Sequence, residues 1–160
     1  MIPRAVAVIA LLALAGGGAV PHPADLPAWR VAPAAEDSLK ALWARSMATR
    51  REAVACLGGI IGPDTVHVTS ALPLAEAPAD SLTADAQLSL SDCGPPRWIG
   101  TAHTHVRSTD GEEPAPRFSP SDRTVMSLWS TRWGRQGAFC VLYSEKRAHC
   151  EVYPPGSNPR

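Results

Sequence analysis

The chain lacks the signatures of several common chemistries. Its four cysteines include no CxxC pair, which excludes a zinc ribbon or a thioredoxin-like redox pair. It has no HExxH helix, no GxSxG elbow and no glycine-rich loop ending in Gly-Lys-Ser/Thr. Those absences remove the common zincin, serine-hydrolase and P-loop readings. Neither sign of charge is in excess: 15 basic residues balance 15 acidic ones, with no basic run. Nucleic acid is therefore not expected as a partner. No internal repeat is visible.

What is present starts with an address. Arg4 precedes an unbroken apolar run of eleven residues, Ala5 to Ala15, and Gly17-Gly18-Ala19 follow. A positive residue, an apolar stretch and small residues in that order read as a secretory signal over 1–19. The run is shorter than the ~20 residues that span a bilayer. No stable membrane insertion is expected after signal cleavage, and the mature protein is expected to be secreted or periplasmic. Four cysteines (Cys56, Cys93, Cys140 and Cys150) in an exported chain suit two disulfides. Three pairings are possible, with buried free thiols as the alternative. If Ser144–Lys146 is an odd-length hairpin loop, Cys140 and Cys150 lie opposite each other.

Sixteen prolines cluster at both ends and in loops. Pro21, Pro23, Pro27 and Pro33 mark residues 20–35 as an extended linker. Leu39, Leu42, Trp43 and Met47 recur at helical spacing and predict a helix over 36–51, capped by Asp37 or Ser38. Glu52 to Leu57 reads as a strand ending at Gly58-Gly59, and Thr65 to Ser70 as a second strand after a turn. Between Leu72 and Pro96 only a helical turn near Ser81–Gln87 is expected. Arg97 to His105 reads as a strand, Arg107 to Arg117 as a polar loop, and Ser119 to Trp133 as a helix burying Val125, Met126, Trp129 and Trp133. Ala138–Tyr143 and Arg147–Tyr153 form a hairpin, and 154–160 a disordered tail. This order predicts one α+β domain over 36–153, a mixed β-sheet flanked by helices.

Chemistry concentrates in three short stretches. Residues two apart on a strand share a face, so His103 and His105 present two imidazoles together. Paired neutral imidazoles suit a first-row metal, zinc above all. Ser119-Pro120-Ser121-Asp122 has the form of a capping box, which sets a carboxylate at a helix start. Glu52 opens a strand with a carboxylate. His22, His67 and His149 read as structural or surface residues.

The order Glu52, His103-Thr104-His105, Ser119-x-x-Asp122 resembles the JAMM motif of the JAB1/MPN/Mov34 metallopeptidases. The resemblance covers roughly 36–153. It implies an MPN/JAB-like domain with His103, His105 and Asp122 as zinc ligands. It also implies Glu52 as general base and then acid, and Ser119 as oxyanion donor. The activity implied is hydrolysis of a peptide or isopeptide amide, with a protein or peptide as substrate. A non-catalytic binding module on the same fold and a zinc hydrolase of non-peptide amides are the alternatives. Two positions depart from the family pattern. Val106 follows the second histidine where the family has proline, and sixteen residues separate His105 from Asp122, more than is usual. The added length falls in the 107–117 loop, which is expected either to act as a lid or to be inert.

Overall fold

In a computed structural model of the chain, the described residues are 27–75, 89–106 and 113–156. The signal at 1–19, His22 and the helical turn expected at Ser81–Gln87 lie outside them. The elements run β1 (Ala28–Val31), α1 (Pro33–Thr49), β2 (Val54–Ile61), β3 (Thr65–Pro73), β4 (Gly100–Thr104), α2 (Pro120–Trp133), β5 (Gly137–Ser144) and β6 (Arg147–Tyr153). A further helical turn covers residues 89–92. The strands form one mixed sheet in the order β1-β3-β2-β4-β5-β6. The β1–β3 and β4–β5 pairs are parallel and the other pairs antiparallel. The expected α+β architecture, a mixed sheet with helices against it, is present.

The two helices take opposite faces, and strand alternation decides what each receives. On β5, Ala138, Cys140 and Leu142 join the cluster of Leu57, Val66, Val68, Ala71 and Ala102, against which Ala35, Leu39 and Trp43 of α1 pack. Phe139 and Val141 point the other way, into a cluster with Phe118, Met126, Trp129 and Tyr153. β5 is thus buried on both faces, which is why its sequence reads as an apolar run without alternation.

Several boundaries differ from expectation. Residues 20–35 are not linker throughout: Ala28–Val31 pair with Thr65–Val68 as an edge strand. Prolines on either side of so short an edge strand cost the sheet no ladder hydrogen bonds. The first helix begins at Pro33 rather than at 36, with Ala32 as N-cap and no side-chain cap. Proline at the first helical position is already set to helical φ, so Asp37 and Ser38 are not needed as caps. The helix ends at Thr49, where Arg50 turns left-handed (φ 54°) and its N–H bonds the Ser46 carbonyl.

Glu52 lies just before β2 rather than on it, and Gly58-Gly59 lie inside β2 rather than at its end. The register with β3 shifts between Gly58 and Gly59. Gly59 has φ 152°, and a Cβ there would stand 1.9 Å from the His67 carbonyl oxygen. Gly100 opens β4, three residues later than expected. It has φ 154°, and a Cβ there would lie 1.8 Å from the Ala138 carbonyl oxygen. Only glycine lets β4 approach β5 at that point.

Both disulfides form. Cys140 and Cys150 are direct partners across the β5–β6 ladder. Cys56 joins Cys93, 37 residues away, and fastens the 89–99 segment over β2 on the α2 face. Trp129 Nε1 donates to the Cys93 carbonyl at 3.0 Å, tying that segment to α2 as well. Loop-closure entropy makes the longer link worth roughly 4 kcal/mol against roughly 3 for the hairpin link. Two disulfides fit a secreted or periplasmic protein. Among the described residues, no helix is long and apolar enough to cross a membrane.

Candidate metal centre

β4 delivers the two histidines. Its partners are β2 (Val54 opposite His103) and β5 (His103 beside Val141), so its end is held from both sides. Thr101 and His103 point to the α2 face, while Ala102 and Thr104 point to the α1 face. His105 lies one residue beyond the strand, and its N–H still bonds the Leu142 carbonyl at 2.8 Å. That bond carries the ladder far enough for both rings to turn the same way. Their Nε2 atoms stand 3.2 Å apart.

α2 delivers the third group. The capping box expected at its start is complete: Asp122 N–H donates to Ser119 Oγ, and Ser119 N–H donates to Asp122 Oδ2 at 2.6 Å. The cap holds the carboxylate back over the helix start, in reach of both rings. Asp122 Oδ1 lies 3.3 Å from His103 Nε2, and Oδ2 lies 3.4 Å from His105 Nε2. The three side chains are only 11–18% exposed. They form the group of potential ligands among the described residues, with one donor atom from each within 4.8 Å of the others.

These spacings suit a small tetrahedral ion. Bonds of roughly 2.0–2.1 Å to nitrogen and oxygen place neighbouring ligands about 3.3–3.4 Å apart. The surroundings suit one too. His105 Nδ1 donates to the Ala115 carbonyl at 2.9 Å, so Nε2, turned toward His103 and Asp122, is the nitrogen that would give up its proton to an ion. Ala115 belongs to the 107–117 loop, so part of that loop orients a candidate ligand. Residues 107–112 lie outside the described residues. Phe118 packs on both His103 (centroids 5.9 Å apart) and His149 (5.6 Å), closing one side of the site.

The electrostatics follow from this packing. Burial alone would raise the Asp122 carboxyl. Hydrogen bonds with His103 and His105, the charge of His103 and the Ser119 side chain outweigh it and hold that carboxyl far below the usual carboxylate range. The Asp122 hydrogen bond raises His105 above its ordinary value against the opposing effect of burial. The Ala115 carbonyl and the Glu52 charge assist.

Glu52 is exposed. Continuing the β2–β4 register by two residues sets it across from His105. It lines a shallow cleft with Arg45, Arg51, Val54 and Leu74. The expected residues therefore gather at one end of the sheet: His103, His105 and Asp122 in contact, Ser119 capping Asp122, and Glu52 across from His105. His67 is exposed on β3. His149 pairs with Glu151 at 2.8 Å, and Glu151 takes both guanidinium nitrogens of Arg123 at 2.9 Å. Sequence reasoning missed Ala115 and Phe118. One acts through a backbone carbonyl and the other through packing, and neither leaves a mark on residue type.

No protein-family model matches the chain, and no curated protein matches it. Among solved structures, the chain is similar to the solution structure of protein DSY2949 from Desulfitobacterium hafniense. The two are 16% identical over 79% of this chain and 83% of that one, with a TM-score of 0.49.

Proposed function

We propose that the chain is an exported zinc metallopeptidase of the JAMM type on an MPN-like domain, hydrolysing a peptide or isopeptide amide. The observation that carries this is the 3.2–3.4 Å triangle of His103 Nε2, His105 Nε2 and Asp122 oxygens, with the Glu52 charge acting on His105. His103, His105 and Asp122 would hold the ion and leave one tetrahedral position open, the arrangement of catalytic rather than structural zinc. Zinc bound there would supply Lewis acidity, acidifying water to a pKa near 7 and polarising a carbonyl.

The chain's own residues handle the protons. Water attacks the amide carbon, and a Glu52 carboxylate oxygen takes the proton that water loses. Glu52 then gives that proton to the amine nitrogen as the C–N bond breaks. Ser119 reconciles two tasks. Capping uses its oxygen as an acceptor from the Asp122 N–H, so its own hydrogen is still able to donate to a developing oxyanion. Its present neighbour for that hydrogen is Ser121 Oγ at 2.8 Å.

The test is metal content and hydrolysis of a mixture of quenched fluorescent peptides by the purified full chain. One zinc per chain is expected. Glu52→Gln is expected to keep that zinc and lose roughly 10²–10⁴-fold in kcat, the usual worth of a positioned proton carrier. Activity unchanged in Glu52→Gln would eliminate it as the base.

A further inference from the structure

We infer that Thr104, with Ser46 behind it, is a positioning residue that fixes Glu52 through its two peptide groups. The inference rests on the peptidase reading above and deepens it. Thr104 stands between the two histidines in sequence, but alternation sends its side chain to the opposite face of the sheet, under α1. Both Thr104 and Ser46 are fully buried, at 0% exposure. Buried hydroxyls need partners, and these two form a chain of hydrogen bonds.

Every hydrogen in that chain can be assigned. The Ala53 N–H donates to Thr104 Oγ1 at 2.9 Å. Ser46 Oγ donates to the Arg51 carbonyl at 2.5 Å, since a carbonyl only accepts. Ser46 has no second hydrogen, so in its 2.6 Å contact with Thr104 the threonine is the donor. The relay runs from Ala53 N–H to Thr104, from Thr104 to Ser46, and from Ser46 to the Arg51 carbonyl.

Its two ends are the peptide groups on either side of Glu52. The Arg51 carbonyl belongs to the peptide before the Glu52 Cα, and the Ala53 N–H to the peptide after it. Fixing both planes fixes φ and ψ of Glu52, although the residue is exposed and lies outside any strand. The Thr104 N–H also bonds the Ala53 carbonyl at 3.0 Å. The residue between the two histidines thereby sets the backbone of the proposed base, and α1 supplies the far end of the relay. A side chain fixed at its root searches less volume, and misplacement of a reacting group by about 1 Å can cost on the order of 10²-fold in rate.

The test compares the full-length protein with Thr104→Val, which keeps shape and removes the hydroxyl, and Thr104→Ser, which keeps the hydroxyl. On a peptide selected from the fluorescent mixture, Thr104→Val is expected to lose at least tenfold in kcat. Its KM should stay within about twofold and its zinc at one per chain, and Thr104→Ser should restore kcat. In the Glu52→Gln background, Thr104→Val should cost nothing more. Amide exchange at Ala53 should be faster in Thr104→Val than in the parent. Unchanged kcat, unchanged Ala53 exchange or loss of zinc in Thr104→Val would overturn the inference. If that variant does not fold, Ser46→Ala removes only the far end of the relay and is read the same way. A parent protein without zinc or peptidase activity would overturn the peptidase reading instead, and the relay would then be judged by Ala53 exchange alone.

Discussion

The two faces of the sheet are built differently. The α1 face is filled edge to edge with small and branched residues: Ala35, Leu57, Val66, Val68, Ala102 and Ala138 among them. Its buried hydroxyls, Ser46 and Thr104, bond to one another and to backbone. The α2 face is apolar only in its inner part, where Met126, Trp129, Phe139 and Val141 meet. Toward the C-terminal end of β4 it gives way to His103, His105 and Asp122, three groups whose hydrogen bonds are made mainly with one another. A face whose groups are satisfied by packing contributes stability. A face that leaves three ligand-type atoms pointing at one spot gives up some apolar packing. β4 serves both, because alternate residues of one strand belong to different faces.

That contrast can be broken by substitution, and the largest effect is expected on the α2 face. His103→Ala removes one of three protein ligands. If a site like this binds zinc with roughly 10–16 kcal/mol, losing one ligand removes on the order of a third of it. Zinc retention after dialysis, measured by atomic absorption, should fall to background while the metal-free chain still unfolds cooperatively. On the α1 face, Leu57→Ala should lower stability by about 2–5 kcal/mol in urea titration, the cost of a cavity at a fully buried position. Zinc stoichiometry should not change. If Leu57→Ala releases zinc, or His103→Ala unfolds the chain, the two faces are not separable as described.

The smallest expected effect is with pH. In the metal-free protein, His105 is raised above its ordinary 6.5, so its contribution is complete below about 6.5 and is lost as pH rises through the folded value. Asp122 is lowered from 3.8, so its contribution is complete above about 3.8 and is lost as pH falls toward the folded value. The thermal midpoint of the metal-free chain should therefore be highest between those limits. Zinc should reverse the upper limb, because it competes with the proton on His105 Nε2 and gains as pH rises. A midpoint insensitive to pH in the metal-free chain would mean that the triad contributes little to folding.

How much was legible in advance differs between faces for the same reason. Chemistry depends on residue type, and residue type is written in the chain. The HxH pair, the capping box and their shared strand–helix setting were all readable. The hairpin was readable from its two apolar runs, but the sequence left three cysteine pairings open, and its expected three-residue loop is a two-residue turn: Cys140 and Cys150 come opposite through a register shift between Leu142 and Ser144. Strand β1 was not. Its four residues lie among prolines that signal a linker, and only pairing with β3 makes them a strand. Gly58 and Gly59 read as a strand end because glycine usually marks one. Here they admit a register shift and a close approach of the His67 carbonyl. Glu52 was recognisable as a carboxylate in the right order, but its exact relation to β2 depends on where pairing stops.

The sequence by itself determined the identity of the groups: two imidazoles two apart on a strand, a carboxylate three residues into a cap, an upstream glutamate, and an even number of cysteines. Local periodicity suffices for these, since it acts within a few residues. Only the tertiary structure decided their spacing at 3.2–3.4 Å. It alone decided the carbonyl of Ala115 behind His105, the pairing of Cys56 with Cys93, and the relay from Ser46 through Thr104 to both sides of Glu52. Apart from the Ser46–Arg51 bond, five residues long, those depend on contacts between residues 10 to 58 positions apart, fixed by sheet register and helix packing rather than by any neighbour in the chain.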